Sequence, residues 1–209
     1  MTTRPNVVGI VDYGMCNVDS VSRAVEECGG SAIITADAGE LAKADRIILP
    51  GVGSFTEAMS RIRQRALDTI LGELVTTRRL PFLGICLGMH LLATEGREGG
   101  TTEGLGWIDA EVRRLEPAGE DTRIPHVGWN EVDVVRESPL FHGMKPNQDF
   151  YFVHSYQLCP ASPETVVART PYGPGFVSAI QRDLIFGVQF HPEKSQRTGF
   201  QVLKNFLAI

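Results

Sequence analysis

The sequence predicts an α/β fold: a mostly parallel central sheet flanked by helices, with antiparallel strands added in the second half. Two observations predict it. Short apolar runs alternate with amphipathic segments through the first 93 residues, the pattern of a parallel sheet with helices on both sides. Beyond them, six strand-like runs are separated by Pro/Gly turns, as in antiparallel extensions.

The elements follow in order. Val7 to Val11 is a continuous apolar run, expected of a strand buried on both faces. Asn17 can cap a helix reaching about Cys28, with Val18, Val21, Ala24 and Val25 on one face and Gly29-Gly30 stopping it. Ala32 to Ile34 and Arg46 to Leu49 read as the second and third strands, the latter ended by Pro50-Gly51. Phe55 to about Thr77 reads as helix in one or two pieces, Pro81 to Ile85 as the fourth strand, and Leu87 to Ala93 as an apolar helix. Later strands are expected at Glu111 to Leu115, Glu131 to Val135, Phe150 to Tyr156, Thr165 to Arg169, Val177 to Gln181 and Ile185 to Phe190, with a closing helix over Gly199 to Leu207. No linker, repeat or low-complexity segment interrupts the 209 residues, so a single domain over 1–209 is expected.

Composition narrows the function. A formal net charge of -5 argues against a nucleic-acid or membrane-surface role, since both usually need a basic patch. No apolar run approaches the ~20 residues that span a bilayer. The polar start, Met1 to Asn6, leads straight into a strand, so no signal peptide is expected. Four cysteines at 16, 28, 86 and 159 form no C-x-x-C pair, which points to reduced thiols in a cytoplasmic protein and to no metal site.

The sharpest local feature is Leu83-Gly84-Ile85-Cys86-Leu87-Gly88, a G-x-C-x-G between an apolar strand and a helix. This is the cysteine form of a nucleophile elbow, a turn so tight that glycines are needed two residues to either side. It lifts Cys86 to the carboxyl end of the sheet, where the helix amino terminus favours thiolate. A base stands downstream in Gln189-Phe190-His191-Pro192-Glu193. Proline is expected to keep this segment extended, so that His191 and Glu193 project to one side and the carboxylate orients the imidazole. The third part is an oxyanion hole, from the backbone N–H of Leu87 and the turn Gly51-Val52-Gly53. That turn could instead cradle phosphate, although no G-K-[ST] or G-x-G-x-x-G follows it.

These motifs, with Pro125-His126-Val127-Gly128-Trp129-Asn130 and Tyr151-Phe152-Val153-His154-Ser155-Tyr156, resemble triad (class I, flavodoxin-like) glutamine amidotransferases. More narrowly they resemble the glutaminase subunits of imidazole glycerol phosphate synthase, from Asp12 to the final helix. The resemblance implies that Cys86 attacks the glutamine side-chain amide, His191 protonates the departing ammonia, and water releases glutamate. It implies that Glu98 holds the substrate α-amino group and that backbone groups of Ser155 and Tyr156 bind the α-carboxylate. No cofactor is implied. Ammonia would pass to a (β/α)8-barrel cyclase subunit in a heterodimer, which makes imidazole glycerol phosphate and AICAR in histidine biosynthesis. Tyr13, Asn17, Trp129, Tyr151 and Lys194 match positions on the docking face, or serve as ordinary surface or core residues.

Two positions depart from the family pattern. Cys16 stands where D-Y-G-x-G-N has its second glycine, which would alter the loop had that glycine φ > 0. His90 stands where the family has glutamine; one turn from Cys86, it could donate one hydrogen bond to substrate. The departures leave room for the same glutaminase chemistry with another barrel partner, such as one amidating a surface sugar. A non-hydrolytic regulatory subunit is the third reading, and the intact Cys86, His191 and Glu193 argue against it. For the chain alone, the Val52 N–H is expected to face away from Cys86, withholding an oxyanion donor until a partner docks.

Overall fold

The computed structural model describes residues 6–116 and 123–209, so the reading of Met1 to Pro5 lies outside the described residues. The elements run β1 (Val7–Val11), α1 (Val18–Glu27), β2 (Ser31–Thr35), α2 (Ala38–Leu41), β3 (Arg46–Gly51), α3 (Phe55–Gln64) and α4 (Leu67–Gly72). α4 continues into a π-helical turn over Glu73–Thr77. Then come β4 (Phe82–Cys86), α5 (Leu87–His90), β5 (Ala93–Gly96), β6 (Thr102–Glu103), β7 (Ile108–Arg114), β8 (His126–Val134), β9 (Gln148–His154) and β10 (Tyr156–Pro160). β11 (Val166–Thr170), β12 (Phe176–Arg182), β13 (Ile185–Val188) and α6 (Gln196–Ala208) complete the chain.

Nine strands form the main sheet in the order β2-β1-β3-β4-β13-β12-β11-β8-β9. The pairs from β2 to β13 are parallel, and those from β13 to β9 are antiparallel. A second sheet orders β10-β7-β5-β6. Alternation along the parallel strands sends Ile47, Leu49 and Phe82 into a core with α3 and α4, through Phe55, Met59, Ile62 and Leu71. Ile48, Leu83 and Ile85 enter the opposite core with α1 and α6, through Val21, Val25, Val202 and Phe206. Helices thus cover both faces, which is why these strands read as continuous apolar runs. Among the described residues no helix is long and apolar enough to cross a membrane.

Several boundaries differ from expectation for physical reasons. β3 runs on through Pro50 and Gly51, because both still pair with Ile85 and Cys86 of β4. α5 stops at His90 rather than Ala93: the Leu91 and Leu92 carbonyls accept from Leu105, Trp107 and Ile108, and Ala93 enters a strand. Both outcomes bury the same apolar run, so periodicity could not separate them. The run Phe150 to Tyr156 splits at Ser155 into β9 and β10, which belong to different sheets.

Candidate active site

Cys86 ends the central strand β4 and turns at once into α5 with φ 53 and ψ -110. A non-glycine residue holds such a conformation only where its surroundings enforce it. The flanking glycines supply the enforcement. A Cβ on Gly84 would meet the Gly88 carbonyl at 2.5 Å, and one on Gly88 would run into the Leu49 carbonyl of β3. The elbow is therefore real, although α5 is only four residues long and offers little macrodipole. The surroundings of the sulfur are therefore set mainly by neighbouring side chains.

Chief among them is His191, buried just beyond the end of β13. Its Nδ1–H donates to Glu193 Oε1 at 2.8 Å, leaving Nε2 buried without a hydrogen-bond partner among the described residues. Burial alone would lower the imidazole pKa. Interaction with the Cys86 sulfur and then with the Glu193 carboxylate outweighs burial and raises it to about 10. His191 is thus set up as an imidazolium beside the sulfur, the pairing that a cysteine nucleophile requires. The route to this contact differs from expectation: Pro192–Lys194 is a 3-10 turn, not an extended segment. His191 itself is extended, and the turn folds Glu193 back onto it. Ser195, which sequence reasoning passed over, locks that turn. Its hydroxyl donates to the His191 carbonyl at 2.7 Å and accepts from the Tyr151 N–H at 3.0 Å, while the His191 N–H donates to the Tyr151 carbonyl.

A cavity of about 210 Å³ opens over Cys86, lined among others by Val52, Leu87, His90, Glu98, Ser155 and Tyr156. Its volume suits a metabolite of amino-acid size. One oxygen of Glu98 accepts from the Phe55 N–H at 2.6 Å, supplying the cap that Ser54 does not give α3. The wall carrying Ser155 and Tyr156 is fixed by two buried histidines. Asn130 donates to His126 Nε2 (3.3 Å), His126 Nδ1–H donates to His154 Nε2 (3.1 Å), and His154 Nδ1–H donates to the Tyr156 carbonyl (2.8 Å). This order of donors requires both rings to be neutral, and burial pushes their pKa values down to about 4 and about 3.

His90 lines the cavity, but its one donor is already engaged: Nε2 lies 2.6 Å from Gln189 Oε1. Burial lowers its pKa to about 4, so the ring is neutral and has no second N–H for a substrate. In this conformation the expected donation to substrate competes with the contact to Gln189. Gln189, unremarked in the sequence, reaches Cys86 Sγ at 3.7 Å through its amide nitrogen.

The turn Gly51-Val52-Gly53 lies beside the elbow. Gly53 has φ +98, and Gly51 must lack a side chain because Tyr13 Oη and Leu87 Cβ occupy the space. The Val52 N–H donates to the Met15 carbonyl at 2.9 Å and so is withheld from the cavity. Cys16 is not strained, since φ is negative there, and its sulfur contacts the Val11 carbonyl and Asp12.

Of the residues assigned to docking, Trp129 is 48% exposed, with Tyr151 6.2 Å away in an edge contact and Lys194 Nζ 5.9 Å from the Tyr151 ring. Asn17 is exposed and caps α1 through Ser20 N; it shares a small cleft with Val52, His191 and Lys194. Tyr13 takes the core alternative rather than the docking face: it is fully buried under the Gly51 turn, and its hydroxyl has no hydrogen-bond partner among the described residues. Among the described residues no group of three or more His, Cys, Asp or Glu is placed to hold a metal.

Elbow, buried His–Glu pair and sheet order together define a class I glutamine amidotransferase, and the chain belongs to that family, whose model matches residues 9–209. Within it, the chain stands among the HisH subunits of imidazole glycerol phosphate synthase. It is 48% identical over 199 residues to that subunit from Moorella thermoacetica, covering 95% of this chain and 93% of the relative. It is 47% identical to subunit HisH 2 of Nitrobacter winogradskyi, covering 96% and 97%. It is 44% identical to HisH 1 of Campylobacter jejuni, covering 97% and 100%. Solved structures agree on the fold. A glutamine amidotransferase superimposes with TM-score 0.75 at 18% identity, over 97% of this chain and 99% of that one. PurLQS from Thermotoga maritima superimposes with TM-score 0.73 at 17% identity, over 99% of each.

Proposed function

We propose that the chain is the glutaminase subunit of imidazole glycerol phosphate synthase, with Cys86, His191 and Glu193 as its hydrolytic machinery. The observation that carries this is the elbow cysteine beside a buried His191–Glu193 pair, at the floor of a cavity of amino-acid size. Cys86 Sγ attacks the side-chain amide carbon of glutamine, and the carbonyl oxygen becomes an oxyanion held by the Leu87 N–H. A second donor, the Val52 N–H, joins when the Met15 contact opens. As the C–N bond breaks, His191 Nε2 gives its proton to the leaving nitrogen, and ammonia departs from a Cys86 thioester. Water then attacks the thioester carbon and passes a proton to His191, and the C–S bond breaks to release glutamate.

Ammonia passes to a (β/α)8-barrel cyclase subunit seated on the face of Trp129, Tyr151, Lys194 and Asn17. The test is glutamate release by the purified chain with and without the cyclase. Release should be strong only with both, and its absence from the mixture would refute the reading.

A further inference from the structure

We infer that His90 is a positioning residue for the nucleophile: its Nε2–H holds the Gln189 side chain so that the amide nitrogen, not the oxygen, meets Cys86 Sγ. The inference rests on the reading of Cys86 as nucleophile and deepens it. The three residues form one buried line, His90 Nε2 to Gln189 Oε1 at 2.6 Å and Gln189 Nε2 to Cys86 Sγ at 3.7 Å. Gln189 is wholly buried and His90 nearly so, which shields the pair from bulk solvent.

An amide oxygen only accepts, so His90 must present an N–H to it, and a neutral imidazole has just one. Once Oε1 is pinned, the NH2 group is left facing the sulfur. A glutamine at position 90 would not impose this order, since it could donate to Gln189 or accept from it and permit either orientation. The histidine removes that ambiguity.

What the amide does to the sulfur follows from the other neighbour. The Val153 carbonyl lies 3.8 Å from Cys86 Sγ. It can accept an S–H and so favours thiol, and its oxygen repels thiolate. The Gln189 N–H donates to sulfur and is worth more against a negative charge than against a neutral thiol. Gln189 therefore tips the balance toward thiolate, with His191 holding the displaced proton, and His90 keeps Gln189 turned the right way.

The test is the pH profile of Cys86 alkylation by iodoacetamide in the full chain, read site by site by mass spectrometry, with Cys16, Cys28 and Cys159 as internal controls. In Gln189→Leu and His90→Phe the midpoint for Cys86 should move up by about one pH unit, roughly tenfold slower alkylation near neutrality, with the controls unmoved. The double variant should move no further than either single one. Gln189→Glu keeps an acceptor for His90 but sets a carboxylate oxygen against the sulfur, so its midpoint should rise more than that of Gln189→Leu. It also carries the test should an apolar variant fail to fold. A Gln189→Glu or Gln189→Leu profile that superimposes on wild type overturns the inference. Wild-type chain that, once Cys86 is alkylated, still shows full glutaminase activity with the cyclase overturns instead the reading on which it rests.

Discussion

The Val52 N–H donates to the Met15 carbonyl at 2.9 Å, so a donor suited to the oxyanion is tied to the loop that leads into Asn17. The expectation that the chain alone withholds this N–H is met. Docking on the Asn17 loop can release it only by binding the released state more tightly. Amide exchange at Val52 should be slow in the free chain and lose its protection with the cyclase, while glutamate release rises by about 10²–10³ for one added donor. Stimulation of that size with Val52 protection unchanged would dismiss the latch.

His191 and Glu193 should fail unequally. His191→Ala removes both base and proton donor, a loss on the order of 10²–10⁴ in glutaminase rate. Glu193→Gln leaves a working imidazole with a poorer anchor, and its loss should be smaller in the same steady-state assay. Equal rates for His191→Ala and wild type would dismiss the triad.

Acid should destabilise this fold earlier than carboxylates alone would. His90, His126 and His154 have folded pKa values depressed by burial to about 4, about 4 and about 3, against about 6.5 unfolded. Between those limits the unfolded chain binds more protons, so stability rises with pH there. The contribution is complete above about pH 6.5 and is lost as pH falls toward the folded values. Thermal melts should show a falling Tm from pH 7 to 5; a flat line there would mean that these rings are not buried neutral.

Tyr13→Phe separates core from interface. The buried hydroxyl has no partner among the described residues, so removing it should be neutral or stabilise by on the order of 1 kcal/mol. Cyclase affinity, measured by titration, should not change. Trp129→Ala, on the exposed face, should weaken that affinity markedly. Weakening by Tyr13→Phe equal to that of Trp129→Ala would return Tyr13 to the docking face.

What the sequence disclosed was what local pattern controls. The buried parallel strands announce themselves as apolar runs, and the G-x-C-x-G elbow is a steric necessity written in two glycines. Distant partners were hidden. Leu91 and Leu92 leave the helix because of carbonyl pairings around Leu105 and Trp107, and α2 (Ala38–Leu41) is too short to show a period. His191-Pro192-Glu193 revealed the pair but not its turn, nor Ser195 clamping it from the far side. Gln189 could have been noticed two residues before His191. Its role depends on a contact with His90, 99 residues away, which no local pattern carries.

The most direct measurement compares nitrogen sources for the Cys86→Ala chain in complex with its cyclase. The change removes one sulfur from the elbow and should leave fold and docking intact. Synthesis from glutamine should vanish while synthesis from added ammonium salts continues near the wild-type rate. Glutamine-dependent synthesis that survives, or ammonia-dependent synthesis that disappears with it, would contradict the assignment of Cys86 as the nucleophile that frees ammonia.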